Sequence, residues 1–168
     1  ALIREFLRDF RAKTPYFTQL SAEFVTFLSE RTAQEIDPLF LVELAHYERI
    51  ELDLYMMDED PLCTSRPLSL LKSQLRLSTI AQPLAYQYPV HRICTDFIPK
   101  DVPESPTLLL LFQDKTQDVR FFELQPLAYH LVLLLVENHT QTGSEILQSI
   151  ANTMQISDIA TFIQQGES

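Results

Sequence analysis

Glu43-x-x-His46 is the spacing in this chain that most resembles a reactive pair. A carboxylate and an imidazole three residues apart share one face of a helix, and di-iron carboxylate bundles hold metal with such pairs. That chemistry needs two of these pairs and two further carboxylates. The chain has one pair, so Glu43 and His46 read as polar residues on the surface of an amphipathic helix. His91, His130 and His139 fall in no HExxH pattern and no Cys/His cluster. His130 lies in an apolar run and reads as a core histidine with its hydrogen bonds satisfied. No GxSxG elbow accompanies the serines. Cys63 and Cys94 are thirty-one residues apart, which is neither CxxC nor a zinc pattern nor a disulfide framework. They read as two reduced thiols of a cytoplasmic protein. Gly143 and Gly166 are the only glycines, which excludes a Gly-rich loop around a phosphate. The expectation is a protein that is not an enzyme, carries no cofactor or metal of its own, and acts by binding another macromolecule.

The elements that would position a binding surface follow from periodicity. Leu2, Ile3, Phe6, Leu7 and Phe10 recur at helical spacing, and Thr14-Pro15 ends that helix because the residue before proline avoids the α region. Ser21 is placed to cap a helix carrying Phe24, Phe27 and Leu28. Asp37-Pro38 predicts another start, a capping oxygen followed by proline at the first helical position. This helix runs to about Met57, with Tyr47, Ile50, Leu54 and Met57 as its apolar stripe. Asp58-Glu59-Asp60-Pro61 breaks the pattern and predicts a linker that extends to about Leu68.

Beyond Leu68 the period shortens. Leu75, Leu77 and Thr79 alternate, as do Leu84, Tyr86 and Tyr88, and Pro83 and Pro89 mark these segments as edge or broken strands. Leu108–Phe112 and Val119–Leu124, joined by the polar segment Asp114–Asp118, predict a hairpin. Pro126 can open a helix over Leu127–Asn138 that is apolar almost all round and should be buried. Thr142-Gly143-Ser144-Glu145 has capping-box spacing, and Ile146, Leu147, Ile150, Ala151 and Met154 give the following helix its face. Ser157 can cap a third helix with Ile159, Phe162 and Ile163. The predicted fold class is α+β: a helical N-terminal remnant over residues 1–60, a linker over 61–68, and a small winged-helix-like domain over 69–168, short strands followed by three helices. The chain opens on Ala1-Leu2-Ile3-Arg4 and stops at Gly166-Glu167-Ser168, and reads as an internal fragment of a longer protein.

Charge narrows the partner. Residues 61–100 hold five basic side chains (Arg66, Lys72, Arg76, Arg92, Lys100) and one acid, Asp96, whereas 104–168 hold two basic residues, Lys115 and Arg120, against eight acidic ones. The last predicted helix, Ser157–Gln165, has no cation. Phosphate contacts need Lys or Arg, so DNA reading by a helix-turn-helix there is disfavoured, and the basic stretch from Arg66 to Lys100 is where a duplex could dock. Longer than any other apolar run, Leu127–Val136 is too short for the roughly 18–20 residues of a membrane span. An extended peptide adding to a sheet edge needs no cations. Leu84, Tyr86, Tyr88 and Val90, with Arg76 and Arg92 nearby, are the expected contact residues, and Tyr86 and Tyr88 are expected on the exposed edge.

Four segments in order resemble the HvfC family: Ser21-Ala22-Glu23-Phe24, Leu41-Val42-Glu43-Leu44-Ala45-His46-Tyr47-Glu48, Tyr88-Pro89-Val90-His91-Arg92-Ile93, and Val119-Arg120-Phe121-Phe122-Glu123-Leu124-Gln125-Pro126-Leu127. The resemblance implies that residues 1–60 are the tail of an N-terminal helical domain and that the rest is the HvfC-type C-terminal domain. It implies two competing functions. One is a DNA-binding transcriptional regulator, a role attached to the N-terminal domain. The other is a non-catalytic subunit beside an HvfB- or MbnB-type iron oxidase, which holds the iron and modifies cysteines of a ribosomal precursor peptide while the HvfC-like subunit binds and presents that peptide. The strands-then-helices order also resembles the winged-helix peptide-recognition elements of peptide-modifying systems. That likeness puts the peptide near Leu84–Val90 and the helix from Pro126. The peptide-recognition function is the leading expectation and the DNA regulator the alternative.

Overall fold

The structure is a computed structural model that describes residues 2–10, 13–32, 34, 36–58, 69–138 and 140–153. The architecture is α+β, helices with one small three-stranded sheet. Contacts divide the chain into two compact units: Ala1–Met57 with Ala85–Thr107, and Asp58–Leu84 with Leu108–Ser168. No helix among the described residues is long and apolar enough to cross a membrane. The expected linker over 61–68 lies outside the described residues, and Cys63 and Arg66 with it.

The first unit begins with α1 (Leu2–Glu5), which widens into a π-helical turn over Phe6–Phe10. α2 (Phe17–Glu30) and α3 (Leu41–Tyr55) follow. Phe6, Phe27 and Leu28 are buried in its core, with Phe10, Phe24 and Leu41 packed around them. Phe6 meets Phe24 edge-on at 5.3 Å between ring centres, within the range such pairs favour.

Two expected helix starts are corrected. Ser21 is inside α2, whose N-cap is Tyr16, and its hydroxyl donates back to the Thr18 carbonyl. The Asp37 carboxylate accepts from the Gln34 N–H at 2.8 Å and from Arg31 at 2.6 Å, so it is not free to cap a helix. α3 therefore begins three residues after Pro38, with Phe40 as N-cap. On α3, Tyr47 and Leu54 are buried, Ile50 is half-buried, and Met57 falls beyond the helix and is exposed.

The second unit holds the sheet. β1 (Ala81–Tyr86), β2 (Thr107–Gln113) and β3 (Val119–Glu123) lie in the order β1-β2-β3, with the ends of β1 and β2 at the boundary between the units. β2 and β3 form the expected hairpin in antiparallel register, Leu110 opposite Phe122 and Phe112 opposite Arg120. Asp114 fastens its turn: its carboxylate accepts from the Thr116 N–H and hydroxyl and from the Asp118 N–H. Gln117 takes the left-handed conformation, φ 65°, that closes such a loop. Along β2 the inward residues Leu109 and Leu111 are fully buried, while Leu108, Leu110 and Phe112 on the other face are half-buried. The expected strand over Leu75–Thr79 does not form. This stretch is tied instead to the helices behind it, Leu77 N–H to the Leu135 carbonyl and Asn138 Nδ2 to the Leu75 carbonyl.

α4 (Pro126–Glu137) starts with Pro126 in its first turn, as its sequence predicts, but it is not buried all round. Val132 is buried, whereas Leu127, Leu133 and Val136 are exposed. Its uniform apolarity thus leaves an unburied face instead of marking a central helix. α5 (Gly143–Thr153) has the expected capping box: Glu145 Oε2 accepts from the Thr142 N–H at 2.7 Å, and the Glu145 N–H points back to the Thr142 hydroxyl. Ile146, Ile150 and Ala151 fill the core. The third helix expected from Ser157 lies outside the described residues.

Candidate functional site

The Glu43–His46 pair is not a solvated patch. Both residues are half-buried, and both reach the segment after β1 or its last residue. One Glu43 carboxylate oxygen accepts from the Gln87 N–H and the other from the Tyr88 N–H, each at 2.9 Å. His46 Nδ1 is 2.8 Å from the Tyr86 hydroxyl, and Tyr47 meets the Tyr86 ring edge-on at 6.3 Å. Burial raises the Tyr86 phenol above its ordinary value, helped by the negative charge of Glu43. Burial also pushes Tyr47 up to about 12, with Glu51 and Glu48 adding to it. These phenols therefore stay protonated and serve as hydrogen-bonding and packing groups. With its two oxygens engaged by backbone and its imidazole by a phenol, the pair is a structural clamp. Among the described residues, no three His, Cys, Asp or Glu side chains come together in a way that could hold a metal ion.

The six expected contact residues separate by exposure. Leu84, Tyr86, Tyr88 and Val90 are all buried, at 6%, 5%, 6% and 2% exposure. Tyr86, Tyr88 and Val90 belong to the first unit, where Tyr88 meets Phe40 edge-on at 6.1 Å and the short turn Val90–Arg92 packs on α3. Leu84 and Arg76 belong to the second unit. The placing of Tyr86 and Tyr88 on an exposed face is therefore corrected: alternation identified residues sharing one face, and that face is the interior. Arg76 and Arg92 are exposed, and Arg92 lies over the Phe97 ring at 5.2 Å. Cys94 is an exposed free thiol.

Sequence reasoning passed over β3. Among the described residues its strand neighbour is β2. Every residue from Arg120 to Glu123 is exposed. Phe122 is 59% exposed and stacks on Phe112 at 5.2 Å with the rings 18° from parallel. α4 opens three residues after the strand. The missed signal was the doublet Phe121-Phe122 in a strand otherwise bounded by charge. Large apolar residues on a short terminal strand are an aggregation liability unless something covers them.

Arg120 is the sole cation on β3, and it is held at home. Its guanidinium donates to Asp114 at 3.0 Å and to Asp118 at 3.2 Å. Hydrogen bonds from Thr116 and Arg120 keep the Asp114 carboxyl well below the ordinary carboxylate range. β3 thus carries exposed aromatic surface with no uncompensated positive charge of its own.

In the comparison with protein-family models, residues 78–168 match the HvfC C-terminal domain. No curated protein matches the chain.

Proposed function

We propose that this chain, which belongs to the HvfC C-terminal domain family, is a non-catalytic partner subunit that recognises a peptide and presents it to an iron-dependent oxidase. The observation that supports this reading is the aromatic surface of β3, where the Phe122 ring is largely exposed. Apolar contact with the exposed Phe122 ring would supply affinity. The modification chemistry, and the iron that carries it, belong to the oxidase. The expected contact segment Leu84–Val90 fits this role less well than β3. Its apolar side chains face inward, and the Gln87 and Tyr88 N–H groups are already satisfied by Glu43.

The test is affinity capture with the protein as bait from its own cells, with eluates analysed for both protein and nucleic acid. Recovery of an iron-binding oxidase together with a small Cys-containing peptide is the expected result. Recovery of one enriched DNA sequence without such proteins would replace this reading by the DNA-regulator one.

A further inference from the structure

We infer that the groove between α2 and α3 is a docking site for an amphipathic helix of a partner chain, one whose polar flank is basic. The groove lies within the first unit and is independent of the reading of Phe122. α2 and α3 pack against each other and leave between them a groove of about 510 Å³. Its floor is apolar: Phe24 from α2, and Leu41, Leu44, Ala45 and Leu52 from α3. Each of these side chains is only half-buried. Leu41, Ala45, Glu48 and Leu52 are spaced four, three and four residues apart, which is one stripe along α3. From Leu41 to Leu52 the stripe covers about 16 Å, or about three turns, at 1.5 Å per residue. An apolar trough of this form takes a further helix by its apolar face.

Charge selects the flank. α2 carries Glu23 and Glu30 and no Lys or Arg, while α3 carries Glu43, Glu48, Glu51 and Asp53 against Arg49. Among the described residues, the charged groups that line the groove are Glu48 and Arg49. Arg49 is held by Asp53 at 2.8 Å, and its Nε is buried. Glu48 is exposed and has no ion-pair partner among the described residues. Glu51 stands one turn along, and its carboxyl is raised above the ordinary value, first by burial and then by Glu48. The other described cations of this unit do not line the groove. Arg4 and Arg8 flank Ile3 and Leu7 on a separate surface of the N-terminal helix. Arg31 is held by Glu5 and Asp37, and Arg92 lies over the Phe97 ring. Lys13 is next to Glu23, which accepts from its N–H, and Lys100 follows Pro99 in an exposed loop. A basic flank would therefore find Glu48 and Glu51 unmatched, a neutral one would gain no attraction, and an acidic one would be repelled.

The experiment titrates the full chain, by fluorescence anisotropy at low and high salt, with three synthetic peptides of about 18 residues, long enough to hold a helix in water. All three carry leucine at helical spacing on one face, and they differ in having Lys, Gln or Glu on the flanks. The Lys peptide is expected to bind about fivefold more tightly than the Gln peptide at low salt, as two exposed ion pairs would give. The Glu peptide should be weaker still, and the differences should shrink as salt rises. Glu48→Lys, a change at an exposed side chain, is expected to remove the preference for the Lys peptide, and Phe122→Ala to leave it intact. Equal binding of the three peptides, no binding by any, or a preference that survives Glu48→Lys would overturn the inference. Loss of the Lys peptide in Phe122→Ala would put it on β3 and overturn the inference as well. Sedimentation of the chain alone is expected to show a monomer. A dimer that Glu48→Lys dissociates would assign the groove to a second copy of this chain and contradict the partner helix.

Discussion

The Glu43 carboxylate holds the Tyr88 backbone N–H at 2.9 Å across forty-five residues of sequence, while its second oxygen holds that of Gln87. The contact fixes the chain where it leaves β1. Hydrogen bonds to an ionised acceptor are stronger than neutral ones, and the Tyr88 N–H is partly buried. Glu43→Ala is expected to destabilise the first unit by about 1–2 kcal/mol. Glu43→Gln should recover part of this, since its amide oxygen can still accept. Amide hydrogen exchange is the direct readout: protection should fall at Gln87 and Tyr88 in the alanine variant, and unchanged protection there would show that the clamp is dispensable.

Tyr86 should behave as a core residue and not as a contact residue. Its ring is buried beside Tyr47 and its hydroxyl meets His46. Tyr86→Phe removes one hydrogen bond at a cost of about 1 kcal/mol. Tyr86→Ala leaves a cavity and should cost about 3–5 kcal/mol. Urea unfolding monitored by circular dichroism separates the two, and an alanine variant as stable as the parent would contradict the burial.

Gly143 is required by space. A Cβ there would collide with the Leu70 carbonyl oxygen and stand 3.0 Å from Leu75 Cδ1. Helices otherwise favour Ala over Gly by up to about 1 kcal/mol, so Gly143→Ala tests packing against propensity. The expected outcome is a lower melting temperature, and a higher one would mean that residues 70–75 can move aside without loss.

The hairpin turn should resist acid. The Asp114 carboxyl is held well below its ordinary value of 3.8, first by the Thr116 hydroxyl and then by Arg120. A carboxyl with a depressed folded-state value contributes stability that is complete above the unfolded value and is lost as pH falls through the folded one. The Thr116 amide resonance, which reports on the Asp114 carboxylate, should therefore hold its position at pH 3, where ordinary carboxylates are largely protonated, and shift only in stronger acid. Movement between pH 5 and 3.5 would contradict the network.

Local signals were readable in the sequence. The hairpin was legible because Asp114 and Asp118 satisfy its turn from within five residues, and the Thr142–Glu145 capping box because both partners lie within one helical turn. Long-range partners were not. Nothing in Glu43-x-x-His46 reveals that its ligands are Tyr86, Gln87 and Tyr88, and the same is true of Glu23, whose oxygens accept from the Lys13 and Thr14 N–H groups. Both glutamates lie in segments that carry the family resemblance, and both act as backbone clamps. Alternation grouped Leu84, Tyr86 and Tyr88 on one face but could not say which face is the interior. Asp37-Pro38 failed as a helix start because Arg31 and the Gln34 N–H outcompete the helix for the Asp37 carboxylate.

On the proposed reading, Phe122 is the residue on which peptide recognition depends most directly. Its ring is largely exposed, so Phe122→Ala should cost the fold about 1 kcal/mol at most, the value of its stack on Phe112. The decisive measurement is the affinity of the captured precursor peptide for the parent and for Phe122→Ala, with hydrogen exchange recorded on both complexes. The expected result is a loss of at least about tenfold, equivalent to 1.4 kcal/mol, together with peptide-induced protection of β3 amides in the parent. Full affinity in the variant, with protection appearing away from β3, would contradict peptide binding at this strand.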